Sequence, residues 1–216
     1  MIPVKICGIT NATDAQLAVK LGASAIGMIF YPQSPRYVSD DQAGLISNSV
    51  GNNIAKVGVF VNESIDNIHN STEKYQLDMI QLHGDEPPEF CSQVQLPVIK
   101  AIRVGDGILG INFQEYEVDA FLLDTYKKGI KGGTGETFHW DMAQNLNISI
   151  PVILSGGLNP ENILMGIETV YPSAVDVNSG VEIKPSVKDE NKMGQLFTVL
   201  KNTVGQKNIF KIKENV

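Results

Sequence analysis

The feature that most constrains this chain is an eightfold alternation, in which eight short β-rich runs are each followed by a polar or amphipathic stretch. The runs cover residues 3–7, 25–30, 55–61, 78–83, 97–103, 120–124, 151–155 and 174–178, and each is short enough for a strand and too short for a helix. Helix-start signals fall between them. Asn11 stands three residues before Asp14, Asp85 precedes Glu86 and Pro87, and Asn159 precedes Pro160. Each signal offers a side-chain cap for free N–H groups or a proline suited to a first turn. After the eighth run, Met193, Leu196, Phe197, Leu200 and Val204 follow the i, i+3, i+4, i+7, i+11 stripe of a helix packed on a sheet. Eight βα units in 216 residues predict an α/β chain folded as a closed (β/α)8 TIM barrel. An open Rossmann sheet has about five or six strands and an early glycine-rich turn. Residues 105–118 fit a helix poorly because Gly107 and Gly110 interrupt them, and a loop is the alternative there.

No charged or Gly/Ser-rich linker divides the chain, and 43% hydrophobic residues suffice for one core. A single domain is expected, with residues 1–204 as the catalytic barrel. Residues 205–216, with three lysines and scattered apolar side chains, read as an appended tail. The formal net charge of -7 provides no basic footprint for nucleic acid or an anionic membrane, so an anionic ligand must be held locally. The expected partner is a small molecule. Cys7 and Cys91 form neither a disulfide framework nor a zinc pattern, which fits a reducing compartment. With no basic leader and no apolar run approaching about 18 residues, a cytoplasmic protein is expected.

A barrel binds its ligands at the C-terminal ends of its strands. Those ends carry Cys7, Gln81 and His83, Lys100 and Arg103, Asp124, Ser155-Gly156-Gly157, and Asp176 with Asn178. With a period of two, an inward Cys7 implies an inward Lys5, with Val4 and Ile6 facing helices; Asp124 likewise shares its face with Leu122 and Ala120. Cys7 is compatible with two readings, a small buried hydrophobe or a base whose pKa, ordinarily near about 8.5, is lowered by a cation such as Lys5. Asp124 is compatible with capping the next loop or with acting as a general acid after partial burial raises its pKa. The glycines of Lys131-Gly132-Gly133-Thr134-Gly135 and Ser155-Gly156-Gly157, together with Asn178-Ser179-Gly180, suit a phosphate held by the late loops of a barrel. Gly133, Gly156, Gly157, Ser179 and Gly180 are the expected phosphate contacts. His83 beside Gly84 reads first as a structural hydrogen-bond partner and second as a ligand contact. Cys7, His83 and Cys91 do not have metal-ligand spacing. His69 and His139 read as exposed or capping residues, and Lys127, Lys128 and Lys131 as a solvated basic run beside the phosphate loop.

Lys5-Ile6-Cys7-Gly8-Ile9-Thr10, Ser34-Pro35-Arg36, Gln81-Leu82-His83-Gly84, Leu123-Asp124, Gly132-Gly133-Thr134-Gly135, Ser155-Gly156-Gly157-Leu158 and Asp176-Val177-Asn178-Ser179-Gly180-Val181-Glu182 occur in this order. Together they resemble the phosphoribosylanthranilate isomerase family, from residue 2 to about residue 200. The chain departs from the family pattern at Gln33, where lysine is common, and at His139, where aspartate is common. The resemblance implies an intramolecular oxidoreductase of tryptophan biosynthesis that interconverts an aldose and a ketose by an Amadori rearrangement. Asp124 would protonate the furanose oxygen, Cys7 would remove the C2' proton, and the intervening iminium would be the electron sink, so neither metal nor organic cofactor is expected. Arg36 looks like the anthranilate carboxylate binder, with Gln81, His83 and Asp176 as further substrate contacts. The resemblance leaves monomer and homodimer both open. A related aminoaldose isomerase would carry a carboxylate where Cys7 stands, and a pure binding module would need neither Cys7 nor Asp124.

Overall fold

The computed structural model describes residues 1–104, 111–124, 140, 143, 146 and 148–213. β1 (Val4–Ile6), β2 (Ala25–Ile29), β3 (Ala55–Phe60), β4 (Met79–Leu82), β5 (Val98–Arg103), β6 (Ala120–Asp124), β7 (Val152–Ser155) and β8 (Ala174–Val177) are parallel neighbours in chain order. β8 pairs back onto β1 through Lys5 opposite Asp176, which closes the barrel. All eight expected runs are strands, seven of them trimmed at their ends by a residue or two and β6 unchanged.

Outside the strands lie α1 (Ala12–Leu21), α2 (Asp40–Val50), α3 (Ile65–Tyr75), α4 (Pro88–Cys91), α5 (Ile163–Val170) and α6 (Glu190–Leu200). The Asn11 side chain accepts from the Asp14 N–H at 2.8 Å, as the spacing predicts, and Gly22 ends α1 in the left-handed conformation. Asp85 does not cap α4, which follows Pro87 without a side-chain cap. Its neighbour Glu86 is turned inward to accept from the N–H groups of Asn62 and Gly84 and to pair with Lys100 at 2.7 Å. Asn159 accepts from the N–H groups of Glu161 and Asn162, stabilising the turn ahead of α5. On α6, Met193, Leu196, Phe197 and Leu200 are buried, but Val204 lies past the helix end and is 87% exposed. The predicted stripe stops because the chain turns at Thr203, whose hydroxyl and N–H both donate to the Leu200 carbonyl. In residues 111–118, a 3-10 turn at Phe113–Glu115 replaces a helix, and Phe113 and Tyr116 lay ring edges on Phe121 of β6.

The inward positions change character along the barrel axis. At the N-terminal ends of the strands, Ala25, Val57, Met79, Ile99, Leu122 and Ile153 form an apolar floor. Phe210 from the C-terminal tail is packed into that floor and is 3% exposed. Lys213 donates its backbone N–H to Asp78, and Lys211 pairs with Asp119 at 3.4 Å. The stretch from Ile209 to Lys213 is therefore packed against this end, whereas the sequence of residues 205–216 reads as an appendage. At the opposite end, a 3-10 turn at Ser179–Val181 leads into an antiparallel pair, β9 (Glu182–Lys184) and β10 (Val187–Lys188), which sets Lys188 opposite Glu182. Among the described residues, no helix is long and apolar enough to cross a membrane.

Candidate active site

The C-terminal strand ends surround a cavity of about 410 Å³. Its walls include Cys7, Arg36, Gln81, His83, Asp124, Asp176, Gly156, Gly157 and Ser179, along with Ile29, Val59, Ser155, Leu158 and Asn178. One expected phosphate contact among the described residues, Gly180, stands apart from this wall. Gly133 and the rest of its glycine loop lie outside the described residues, as do His139 and the three lysines near that loop. Gly180 packs behind the wall, where an added β-carbon would collide with the Leu158 carbonyl oxygen. Its absence of a side chain lets the loop after β8 approach the loop after β7. Gly156 and Gly157 have φ of 95° and 67°, a left-handed region in which backbone N–H groups can form an anion-holding concavity.

Inward parity on β1 follows the sequence reading and creates the first charged cluster. Lys5 is fully buried, its ammonium donates to Asp176 at 2.8 Å, and its charge acts on the neighbouring Cys7 sulfur. Ser155 donates to the other Asp176 oxygen at 3.2 Å. Gly27 on β2 makes the necessary room, since a β-carbon there would lie 2.8 Å from Cys7 Sγ and 3.0 Å from Lys5 Nζ. Burial alone would discharge Lys5, yet Asp176 and Cys7 hold its pKa above the ordinary lysine value. Lys5 does pull the Cys7 pKa down, as expected, but the expected net lowering is corrected here. Burial pushes the thiol up, Lys5 pulls it down, Asp176 pushes it up again, and the net direction is upward. Strand parity reveals the cation in advance, but the depth of burial and the position of Asp176 come from the folded barrel.

A second cluster centres on Glu182. Arg36 donates to its carboxylate from Nε at 2.8 Å and Nη2 at 2.6 Å, a bidentate pair. Lys188 Nζ completes the group, 3.0 Å from Glu182 and 3.0 Å from the Asn178 side-chain oxygen. Burial works against ionisation of Glu182, but Arg36 and Lys188 outweigh it and lower its pKa. Burial also pulls Lys188 below the ordinary lysine range, although Glu182 opposes that shift. Sequence reasoning missed Lys188. Its available signal is the pair of opposite charges, Glu182 and Lys188, flanking the Pro185-Ser186 turn as cross-strand partners.

The third cluster lies on the far wall. Gln81 Nε2 is 2.8 Å from His83 Nδ1, and His83 Nε2 is 3.4 Å from Asp124 Oδ2. His83 is therefore tied to protein neighbours while also lining the cavity. Lys100 and Arg103 do not join this site; Lys100 turns to Glu86, and both line a neighbouring cavity. Cys91 is buried elsewhere, with its thiol pushed up to about 11 by burial. Among the described residues, no three His, Cys, Asp or Glu side chains gather as a metal-binding group.

Around the closed sheet, β7 and β8 separate β1 from β6. A thiol just beyond β1 and a carboxylate ending β6 thus flank two loops suited to an anion, within one cavity.

Comparison with known proteins agrees with this geometry. A family model for N-(5'phosphoribosyl)anthranilate (PRA) isomerase matches residues 4–199. An N-(5'-phosphoribosyl)anthranilate isomerase from Geobacter metallireducens is 47% identical over 197 residues, covering 91% of this chain and 98% of the relative. The crystal structure of phosphoribosyl anthranilate isomerase from Thermotoga maritima superposes with a TM-score of 0.84 at 41% identity, covering 94% of this chain and 100% of that one. Another solved phosphoribosyl anthranilate isomerase, in complex with reduced 1-(o-carboxyphenylamino)-1-deoxyribulose 5-phosphate, has a TM-score of 0.79 at 39% identity, with the same coverage. With its strand-end motifs gathered around one cavity and a match spanning nearly its whole length, this chain belongs to the N-(5'-phosphoribosyl)anthranilate isomerase family.

Proposed function

We propose that this protein catalyses the Amadori rearrangement of N-(5'-phosphoribosyl)anthranilate to 1-(2-carboxyphenylamino)-1-deoxyribulose 5-phosphate in tryptophan biosynthesis. The observation that carries this reading is the shared cavity of Cys7 and Asp124, with the Gly156-Gly157 and Ser179 loops between their strands. Asp124 is the general acid. It gives its proton to the furanose ring oxygen as the C1'–O bond breaks and the anilino nitrogen forms an iminium. Cys7 as thiolate then removes the C2' proton, and the C–H electrons pass into the iminium to give a neutral enolamine. Tautomerisation to the ketone completes the isomerisation without net redox change. Acid and base act in opposite protonation states at one pH, which requires separate environments such as these two walls provide.

Gly133, Gly156, Gly157 and Ser179 hold the phosphate, with Gly180 letting the loop after β8 close against the loop after β7, and Arg36 reads the anthranilate carboxylate. Glu182 already occupies the Nε–Nη2 edge of that guanidinium, so a carboxylate would meet Arg36 through its remaining N–H groups. Gln81, His83 and Asp176 contact the ribose and amine. Residues 1–204 are the catalytic unit, working in the cytoplasm as a monomer or homodimer; a Thermotoga maritima relative is described as dimeric. The test supplies N-(5'-phosphoribosyl)anthranilate to the purified protein and follows the loss of anthranilate-type fluorescence. Turnover of that substrate is expected, and a flat trace with intact, folded protein would overturn the proposal.

A further inference from the structure

A base should be ionised when it acts, yet the surroundings of Cys7 oppose ionisation in the ligand-free protein. Cys7 and Lys5 are both buried, and the ammonium is bound to Asp176, 2.8 Å away. With a neutral thiol, the buried trio of Lys5, Asp176 and Cys7 has balanced charge. Ionising the thiol would leave an uncompensated negative charge away from water, which is strongly disfavoured. Two more cations face Cys7, Arg36 from the loop after β2 and Lys188 from β10. Both are already engaged by Glu182. The balance therefore turns on Asp176, which lines the cavity and is within a substrate's reach.

We propose that Asp176 occupies the Lys5 charge until substrate binds, and that a substrate engaging Asp176 frees that charge for the Cys7 sulfur, so that the thiolate forms only in the complex. This rests on the reading of Cys7 as the base. Substrate hydroxyl or amine donors first share the Asp176 charge. Ring opening then adds the positive iminium, which takes Lys5's place as counter-ion to Asp176. Lys5 becomes the partner of the sulfur, and the thiol proton passes to solvent water. Charge around Lys5 is again balanced, with thiolate against ammonium and the Asp176 carboxylate against iminium, while the carboxylate that Asp124 acquires by giving up its proton stands on the far wall beside His83, partly exposed. The order of events follows, because the acid step creates the charge that permits the base step. Asp176 and Lys5 are positioning residues for the base in this scheme, and Gly27 keeps open the space in which sulfur and ammonium meet.

The experiment combines alkylation with steady-state kinetics on the intact protein. In a Cys91→Ser background, iodoacetamide modification of Cys7 is followed from pH 6 to about pH 10 by peptide mass mapping. The ligand-free protein should show an apparent thiol pKa above the ordinary value near about 8.5. Asp176→Asn should lower that apparent pKa by about one unit or more, whereas Lys5→Met should raise it. Gly27→Ala, which crowds the ammonium away from the sulfur without altering a charge, should also raise it. In the enzyme itself, the rising limb of kcat should lie about one pH unit or more below that of kcat/KM, because the former reports the complex and the latter the free enzyme. Coincident limbs, or an unchanged Asp176→Asn alkylation profile, would overturn the gating. Full turnover by Cys7→Ser would instead remove the base assignment on which the gating rests.

Discussion

The mouth and the floor of this barrel are made by the same strands, often by inward residues only two positions apart. On β6, Leu122 belongs to the floor and Asp124 to the mouth; on β4, Met79 belongs to the floor and Gln81 to the mouth. Each such step moves about 6.6 Å along the strand and passes from apolar packing to polar chemistry. The floor gains from its burial, since Ala25, Val57, Leu122 and Phe210 bring no polar atoms that need partners. The mouth instead buries Lys5, Asp176, Glu182 and Lys188 in ion pairs. Desolvation offsets much of the attraction in such pairs, so they set geometry and reactivity more than stability. Stability and catalysis are thereby separated along one axis of the fold.

The severest challenge to this division is at the mouth. Cys7→Ser and Asp124→Asn should each lower kcat by about 10²- to 10⁴-fold, the span of a lost general acid or base, with little change in melting temperature. Steady-state kinetics beside thermal melts checks both halves, and a mutant that kept its kcat would lose its assigned role. The converse cut is at the floor. Phe210→Ala should destabilise the protein by about 2–4 kcal/mol through lost burial and the cavity left behind. Urea unfolding measures that loss, while kcat well below the melting temperature should stay at the wild-type value. A catalytic defect in Phe210→Ala at such a temperature would show that the two ends are coupled. The smallest effect sharpens the picture within the mouth. Arg36→Met should weaken productive binding by about 1.5–3 kcal/mol, the range of a charge-assisted hydrogen bond, chiefly as a higher KM. On the substrate analogue lacking the carboxylate, wild type and Arg36→Met should perform alike. An undiminished Arg36 effect on that analogue would mean that the guanidinium serves the Glu182 pair alone.

What could be read from the sequence follows from which interactions are periodic. Strand parity correctly set Lys5 with Cys7 and Asp124 with Leu122 and Ala120, because alternation is a local backbone property. Motif order pointed to the walls of one cavity because barrel topology carries every strand end to the same mouth. Other features depend on distant parts of the chain. The direction of the Cys7 shift is set by its burial and by Asp176 on β8, and Lys188 acquires its role only when β10 folds onto β9. Asp85 resembles a cap in isolation, but the neighbouring Glu86 is drawn inward by Lys100 and the backbone around Asn62. Phe210 lies in a short stretch with Ile209 and Ile212 among lysines, too brief to announce which side chain enters the floor.

The position of Phe210 beyond β8 in the sequence also matters while the protein is being made. Synthesis proceeds from the N-terminus at about 5–20 residues per second, and chains begin to fold as they emerge. Phe210 is therefore delivered roughly a few seconds after β8, the strand that closes the ring. During that interval the eight strands can already be paired while Ala25, Val57, Met79 and Leu122 still face water at the open base. The nascent chain then exposes apolar surface at the end farthest from its catalytic groups, and a segment made after the ring has closed seals it.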